Sequence, residues 1–361
     1  MDTVPKAKRI YLQLLDFIRN NKPCVLTTVT STQGSTPQKP GSSAIFDKKG
    51  LLAGTVGGGA VELSVGEIAA EAIHSKKSGY FRFDLDNDIS DIEAAICGGG
   101  MSILADAIPE KHIEIFESMK DSEEKRVHGV LATLCSTGSS ECAELERFWI
   151  TSENLKNIST QVPDEVSTAA AEMLSIRNPD EFREINFVDV KGEENLAFLE
   201  SVVPMQQLII AGAGHVGKAL SHLGKLLDFE VTVWDDRTEF ANKINLPDAG
   251  KILSGSFYES FENISAERDT FIVIVTRGHK KDADVLRKFI FSNAGYIGMI
   301  GSRSKIEKVR DLFLKNGWAT ETLWDKIHSP IGLEIGSKTV QEIAVSIAAQ
   351  LIQVRNQLKI Q

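Results

Sequence analysis

Apolar residues recur at helical spacing near the N-terminus. Ile10, Leu14, Phe17 and Ile18 form one stripe over 7–20, and Pro23 stops the pattern. The next stretch, Cys24–Thr30, is short and β-branched and predicts a strand. Ser31–Gly41 carries Gly34, Pro37 and Pro40 and reads as irregular. Two short runs, SAIFD and LLAG, flank Lys48-Lys49-Gly50 and predict a hairpin. Three consecutive glycines, Gly57–Gly59, then precede a helical pattern over Ala60–Lys76. Further strands are expected at Tyr80–Leu85, Met101–Ala105 and Val127–Leu134, and a helix at Val162–Arg177.

After Pro204 the pattern changes. Strands alternate with helices, at Gln207–Ala211, Glu230–Trp234, Phe271–Thr276 and Tyr296–Ile300, which argues a parallel sheet with crossover helices. The expected class is α/β: an α/β domain over 1–177, a hairpin or linker over 178–204, and a Rossmann-like domain over 205–361. Thr339 and Glu342 make a T-x-x-E capping box that starts a last helix.

A chain of 361 residues, 42% hydrophobic and 25% charged, suits two folded cores better than one. Its net charge of −10 is uneven: residues 1–203 carry −12 and residues 204–361 carry +2. Neither balance offers the basic face that a nucleic-acid binder needs. The aliphatic run Phe271–Val275 falls far short of a membrane span, and the N-terminus lacks the apolar core of a signal peptide. Four cysteines form no CxxC pair and no metal spacing with the seven histidines. The expectation is a cytoplasmic protein with reduced thiols and no metal site.

The strongest local signal is LIIAGAGHVGKALSHLGKLLDFEVTVWDDR, from Leu208. An apolar strand runs into Gly212, Gly214 and Gly217, then a helix, then a second strand ending at Asp235. Gly212 permits the tight turn, Gly214 lets a pyrophosphate approach, and Gly217 lets the helix pack closely. The helix start offers unpaired N–H groups to a phosphate. Asp235 stands where an acid accepts a ribose hydroxyl; with Asp236 it disfavours a 2′-phosphate, and Arg237 counters that. The same turn can hold another phosphorylated ligand or serve as scaffolding. His215 reads either as a general acid/base or as a histidine bonded to a loop carbonyl. His279, in VTRGHKKD, and Arg303, in IGSRSK, follow later strands, where ligands of open α/β sheets lie. Arg303 can pair with phosphate or stand in solvent.

The first half has two glycine loops of its own. Gly57, Gly58 and Gly59 suit a nest of N–H groups for an anion. Glu62 lies in the following helical turn, where a carboxylate also favours the dipole without any ligand. Cys97, Gly98, Gly99 and Gly100 follow the acidic segment Asp84–Glu93. A thiol there can carry sulfur or touch a soft metal, or be a small buried hydrophobe.

Taken in order, GSTPQKPGSSAIF, GTVGGGAVE, CGGGM, IIAGAGHVGKAL, VTRGHKKD, YIGMIGSRSK and IHSPIGLEIGSKTVQEIAVSIAAQLI resemble the xanthine dehydrogenase accessory family, the XdhC/CoxI-like proteins. The resemblance covers most of the chain. It implies an N-terminal XdhC/CoxI-like domain followed by a Rossmann domain. It also implies a chaperone role: binding molybdenum cofactor (molybdopterin), holding it during sulfuration, and inserting it into a xanthine-dehydrogenase-type molybdoenzyme. Carried over by motif, the cofactor-binding candidates are Gly57, Gly58, Gly59, Glu62, Gly98, Gly99, Gly212, Gly214, His215, Gly217, Asp235, His279 and Arg303. Cys97 is the candidate for sulfur handling, since some relatives carry a cysteine where this chain has Ala60. A cysteine desulfurase is a further implied partner, and a homodimer or other homo-oligomer the implied assembly. The alternative reading is an NAD(P)-dependent oxidoreductase using Gly212–Asp235, with His215 or His279 as acid/base.

Overall fold

A computed structural model of the chain describes residues 7–84, 99–136, 144–176, 181–189 and 191–358. Two compact units emerge, Met1–Pro204 and Met205–Gln361.

The first unit begins with α1 (Ala7–Arg19), β1 (Val25–Gly34), β2 (Ser43–Asp47), β3 (Gly50–Gly54), α2 (Gly59–Ser75), β4 (Gly79–Asp84) and β5 (Gly99–Asp106). It continues through α3 (Ile113–Glu124), β6 (Gly129–Ser136), β7 (Glu144–Thr151), α4 (Leu155–Ile158), α5 (Asp164–Ile176), β8 (Phe182–Val188) and β9 (Glu194–Val202). Among the described residues these strands form two antiparallel sheets, β3-β2-β1-β5-β4 and β7-β6-β9-β8. Helix α2 covers the first sheet, setting Val61, Val65 and Ala69 against Val29, Phe46 and Ile103. Helix α5 covers the second, with Val166, Ala170 and Met173 against Val130, Ile150 and Leu199. A third cluster joins α1 and α3 to both sheets through Leu14, Leu26, Phe116, Leu131 and Trp149.

Polar contacts cross that same interior. Arg147 of β7 forms an ion pair with Asp106 of β5, each side chain only 3% exposed. Tyr11 of α1 donates to Glu200 of β9 at 2.5 Å. Burial first, then the Glu200 charge, pushes the Tyr11 phenol well above its ordinary pKa.

Two expectations change here. Ser31–Gly34 is not irregular: β1 runs on through it, because a register shift between Val29 and Ser31 lets Ser31–Gly34 pair with Ser102–Gly99. The stretch expected to join the halves is a hairpin, and it also completes the second sheet. Strand β9 is buried along most of its length and pairs with β6 on one edge and β8 on the other.

The second unit comprises β10 (Gln207–Ala211), α6 (His215–Leu226), β11 (Glu230–Asp235), β12 (Lys251–Ser254), α7 (Phe257–Phe261), β13 (Thr270–Ile274), α8 (His279–Phe289), β14 (Tyr296–Met299), α9 (Arg303–Lys315), α10 (Glu321–Trp324) and α11 (Val340–Leu358). Its sheet is parallel throughout, in the order β12-β11-β10-β13-β14. Alternate strand residues enter opposite layers: Leu208, Ile210, Val231 and Val233 meet α6 and α11, while Ile209, Ile272 and Ile274 meet α8 and α9. The order reverses between β10 and β13. In an open α/β sheet that crevice, beyond the strands' carboxyl ends, is where ligands bind.

Candidate functional site

At the end of β10 the chain turns through Gly212, whose φ of +119° suits glycine. A Cβ there would lie 2.4 Å from the Val275 carbonyl oxygen, so the turn also lies tight against the end of β13. Gly217 lies one helical turn on, where a Cβ would meet the Gly212 carbonyl oxygen at 1.8 Å. Gly214 is the N-cap of α6; it makes no side-chain cap, and nothing lies within 4 Å of where its Cβ would stand. The first amides of α6 therefore have no side-chain cap at Gly214, the arrangement that receives a phosphate. His215 is the exposed first residue of α6.

Asp235 ends β11 as expected, but its carboxylate is fully engaged. Oδ2 accepts from the Ala213 amide at 2.8 Å and Arg237 Nη2 at 2.9 Å; Oδ1 accepts from Arg237 Nε at 2.8 Å and its amide at 3.1 Å. Burial opposes the charged form, yet the Arg237 hydrogen bonds and the Ala213 amide outweigh it and hold Asp235 below the ordinary carboxylate range. Asp236 pairs with Lys281 of α8.

The ends of β13 and β14 contribute a polar cluster. Thr276 donates to Asp282 at 2.6 Å, and Lys305 forms an ion pair with Asp282, whose side chain is wholly buried. Lys305 also donates to the Ile300 carbonyl at 3.3 Å. His279 is the first residue of α8. Arg303, the first residue of α9, is 84% exposed and lies 3.4 Å from an equally exposed Glu334, a contact of small energetic weight.

In the first unit, the end of β3 and the start of β5 both lie in the first sheet. Gly54 pairs with Ala44, and Gly99 pairs with Gly34. The connection between β1 and β2 lies beside Gly57 and Gly99: a Cβ on Gly57 would meet Pro37 Cγ at 2.8 Å, and one on Gly99 would meet the Ser35 carbonyl oxygen at 3.0 Å. Gly57, Gly58 and Gly59 all have positive φ, and Gly58 caps α2 without a side chain. Glu62 turns back onto the loop, accepting from Thr55 Oγ1 at 2.5 Å and the Val56 amide at 3.2 Å. Cys97 and Gly98 lie outside the described residues. Cys24 and Cys135 are buried, and desolvation pushes their thiols up to about 12 and about 11, so neither is a nucleophile at neutral pH.

Comparison with known proteins matches residues 17–84 to the XdhC and CoxI family and residues 208–351 to the XdhC Rossmann domain. The chain belongs to the XdhC and CoxI family. The two matched segments lie in different units, in the order the motifs predict. A Bacillus subtilis relative named as a probable xanthine dehydrogenase subunit is 23% identical over 95% of this chain and 97% of its own length. The uncharacterised protein YqeB of Escherichia coli is 22% identical over 96% of this chain, which spans 46% of the length of that protein. A crystal structure described as a xanthine dehydrogenase from Bacillus halodurans shares the fold, with a TM-score of 0.70, 22% identity and 96% coverage of each chain.

The family's Rossmann unit thus brings Gly212, Gly214, Gly217 and His215 together at one helix start, with Asp235 bonded to the same turn. The donor set suits a phosphate. It does not suit a ribose diol, because the acceptor for that diol is already taken. Sequence reasoning points to Lys305, beside Arg303, but misses its partner Asp282 and also Asn245, whose Nδ2 donates to the Ala213 carbonyl at 3.2 Å and pins the turn from outside the motif. Among the described residues no group of three or more His, Cys, Asp or Glu is arranged to hold a metal, and no helix is long and apolar enough to cross a membrane.

Proposed function

We propose that this chain is an accessory protein for a xanthine-dehydrogenase-type molybdoenzyme, which binds molybdenum cofactor, supports its sulfuration and passes it on. The observation that carries the reading is the pairing of both family domains in one chain that matches, nearly end to end, a relative named for xanthine dehydrogenase. Each unit adds a glycine-built turn opening a helix that no side chain caps, at Gly57–Gly59 and at Gly212–Gly214. Molybdopterin bears a phosphate, and such turns hold phosphate through amides that cost little to release. Gly212, Gly214, His215 and Gly217 would form one part of the grip, with Arg303 and His279 at the neighbouring helix starts. Cys97 is the proposed sulfur-handling thiol, and a cysteine desulfurase the proposed source of that sulfur. The proposed setting is the cytoplasm, with the chain acting as a homo-oligomer.

The test is direct. The protein is purified from cells supplied with molybdate, then assayed for bound molybdenum and for the fluorescence of oxidised pterin. Both signals are expected, and a strain lacking the gene should make inactive partner enzyme. Absence of both signals, with full partner activity in the deletion strain, refutes the proposal. An NAD(P)-dependent oxidoreductase draws support from the Rossmann turn alone, and the engagement of Asp235 by Arg237 counts against it.

A further inference from the structure

The position after the second strand of a Rossmann unit commonly reads ribose, through a carboxylate that accepts from the 2′- and 3′-hydroxyls. In this chain that carboxylate is Asp235, and it is 3% exposed. Two carboxylate oxygens offer about four acceptor sites. All are filled, three by Arg237 and one by the Ala213 amide of the glycine turn. The Arg237 guanidinium is held on its other side as well, with Cζ 4.0 Å from the centre of the Phe240 ring. A fork of two parallel N–H···O bonds is among the strongest side-chain pairings, and here it is braced by an aromatic ring.

We propose that Arg237 sets the specificity of the second unit's glycine turn: it closes Asp235 to a ribose diol, so that the turn selects ligands by phosphate and not by nucleoside. The ligand class is then a phosphate-bearing molecule for which a vicinal diol adds no affinity. Ordinary NAD(H), whose adenosine ribose carries such a diol, is bound no better than its phosphates alone allow. This inference rests on the Asp235 geometry and does not depend on the molybdenum-cofactor reading.

The experiment uses the full chain and two probes, 5′-AMP and 2′,3′-dideoxyadenosine 5′-monophosphate, which differ only in the diol. Isothermal titration of the wild-type protein should give affinities within about twofold of each other. Arg237→Ala removes the two guanidinium bonds and leaves those from the Ala213 and residue-237 amides, so one acceptor site on each oxygen is freed, and 5′-AMP should bind at least tenfold more tightly than the dideoxy probe, a difference of about 1.4 kcal/mol. Phe240→Ala removes the brace without touching Asp235 and should open a smaller preference, about threefold. It keeps the test alive should Arg237→Ala fail to fold, which thermal melting would report. A wild-type preference of tenfold or more for 5′-AMP overturns the proposal. So does a folded Arg237→Ala that binds both probes equally, or neither.

Discussion

Removing Arg147 should isolate Asp106 in the middle of the first unit. The two side chains pair across the interior, each 3% exposed, with β5 supplying one and β7 the other. Apart from Arg147, Asp106 accepts from the Ile108 amide at 3.0 Å. Arg147 also lies over the Phe116 ring, its Cζ 5.5 Å from the centre, and its Nη1 is 3.4 Å from His112 Nδ1. Arg147→Met keeps much of the packing volume and deletes the charge. Breaking a buried pair in this way costs about 3–5 kcal/mol, because the remaining ion has lost its partner without regaining water. Trp149 is the only tryptophan before residue 204 and donates from Nε1 to Ser122 Oγ at 2.8 Å, so its fluorescence reports on this unit. With a urea dependence of about 3 kcal/mol per molar, the midpoint should fall by roughly 1 to 1.7 M. Adding Asp106→Asn should recover at least half of the loss, since a neutral amide needs no counter-charge. A single substitution costing under about 1 kcal/mol, or a double mutant as unstable as the sum of the two, would refute the reasoning.

Other substitutions separate fold from ligand. Gly217→Ala forces a Cβ to within 1.8 Å of the Gly212 carbonyl and should destabilise the second unit by roughly 2 kcal/mol or more in urea titrations. Gly214→Ala meets no protein atom within 4 Å and should leave the melting temperature within a few degrees while abolishing phosphate or pterin binding. Glu62→Ala removes the acceptor for Thr55 Oγ1 and the Val56 amide, and should cost about 1 kcal/mol by chemical denaturation. His328 stacks on Tyr296 with ring centres 4.6 Å apart, and burial lowers its pKa. The stability it contributes is present above its unfolded value of about 6.5 and is lost as pH falls through the lower folded value. Unfolding followed between pH 7.5 and 5 should accordingly be less pH-dependent in His328→Phe; an unchanged slope would remove His328 as a cause.

How far this was legible depends on the kind of pattern. The second unit was, because its strands are continuous apolar runs separated by amphipathic helices, and the capping box is present with Glu342 accepting from the Lys338 and Thr339 amides at 2.7 and 2.9 Å. Strand β12, KILS, was missed: it is four residues long, lies at the sheet edge and is only partly buried. In the first unit α3 and β7 were missed because acids interrupt their apolar positions, and the burial that defines them comes from distant chain. The glycines at 57–59 and 212–217 stand in strand-to-helix turns, as their motifs predict. What no motif could show is the use of the neighbouring acids. Glu62 and Asp235 both stand where the pattern puts them, and both are bonded to their own turns.

That shared habit makes the glycines more informative than the acids beside them. At Gly57–Gly59 the backbone itself demands glycine, since all three φ values are positive. Gly212 has a positive φ and a close neighbour, and Gly217 has a carbonyl where its side chain would be. Each of these is sufficiently explained by folding. Gly214 is not: its φ is −69°, which any residue adopts, and a Cβ there would stand in open space. As an N-cap it would be better filled by Ser, Thr, Asp or Asn, each of which would bond an amide that glycine leaves open. A fold optimised for stability alone would place one of them there. The missing side chain at Gly214 is what the proposed phosphate-bearing ligand would require, and it makes Gly214 the residue whose substitution most cleanly separates a carrier from a scaffold.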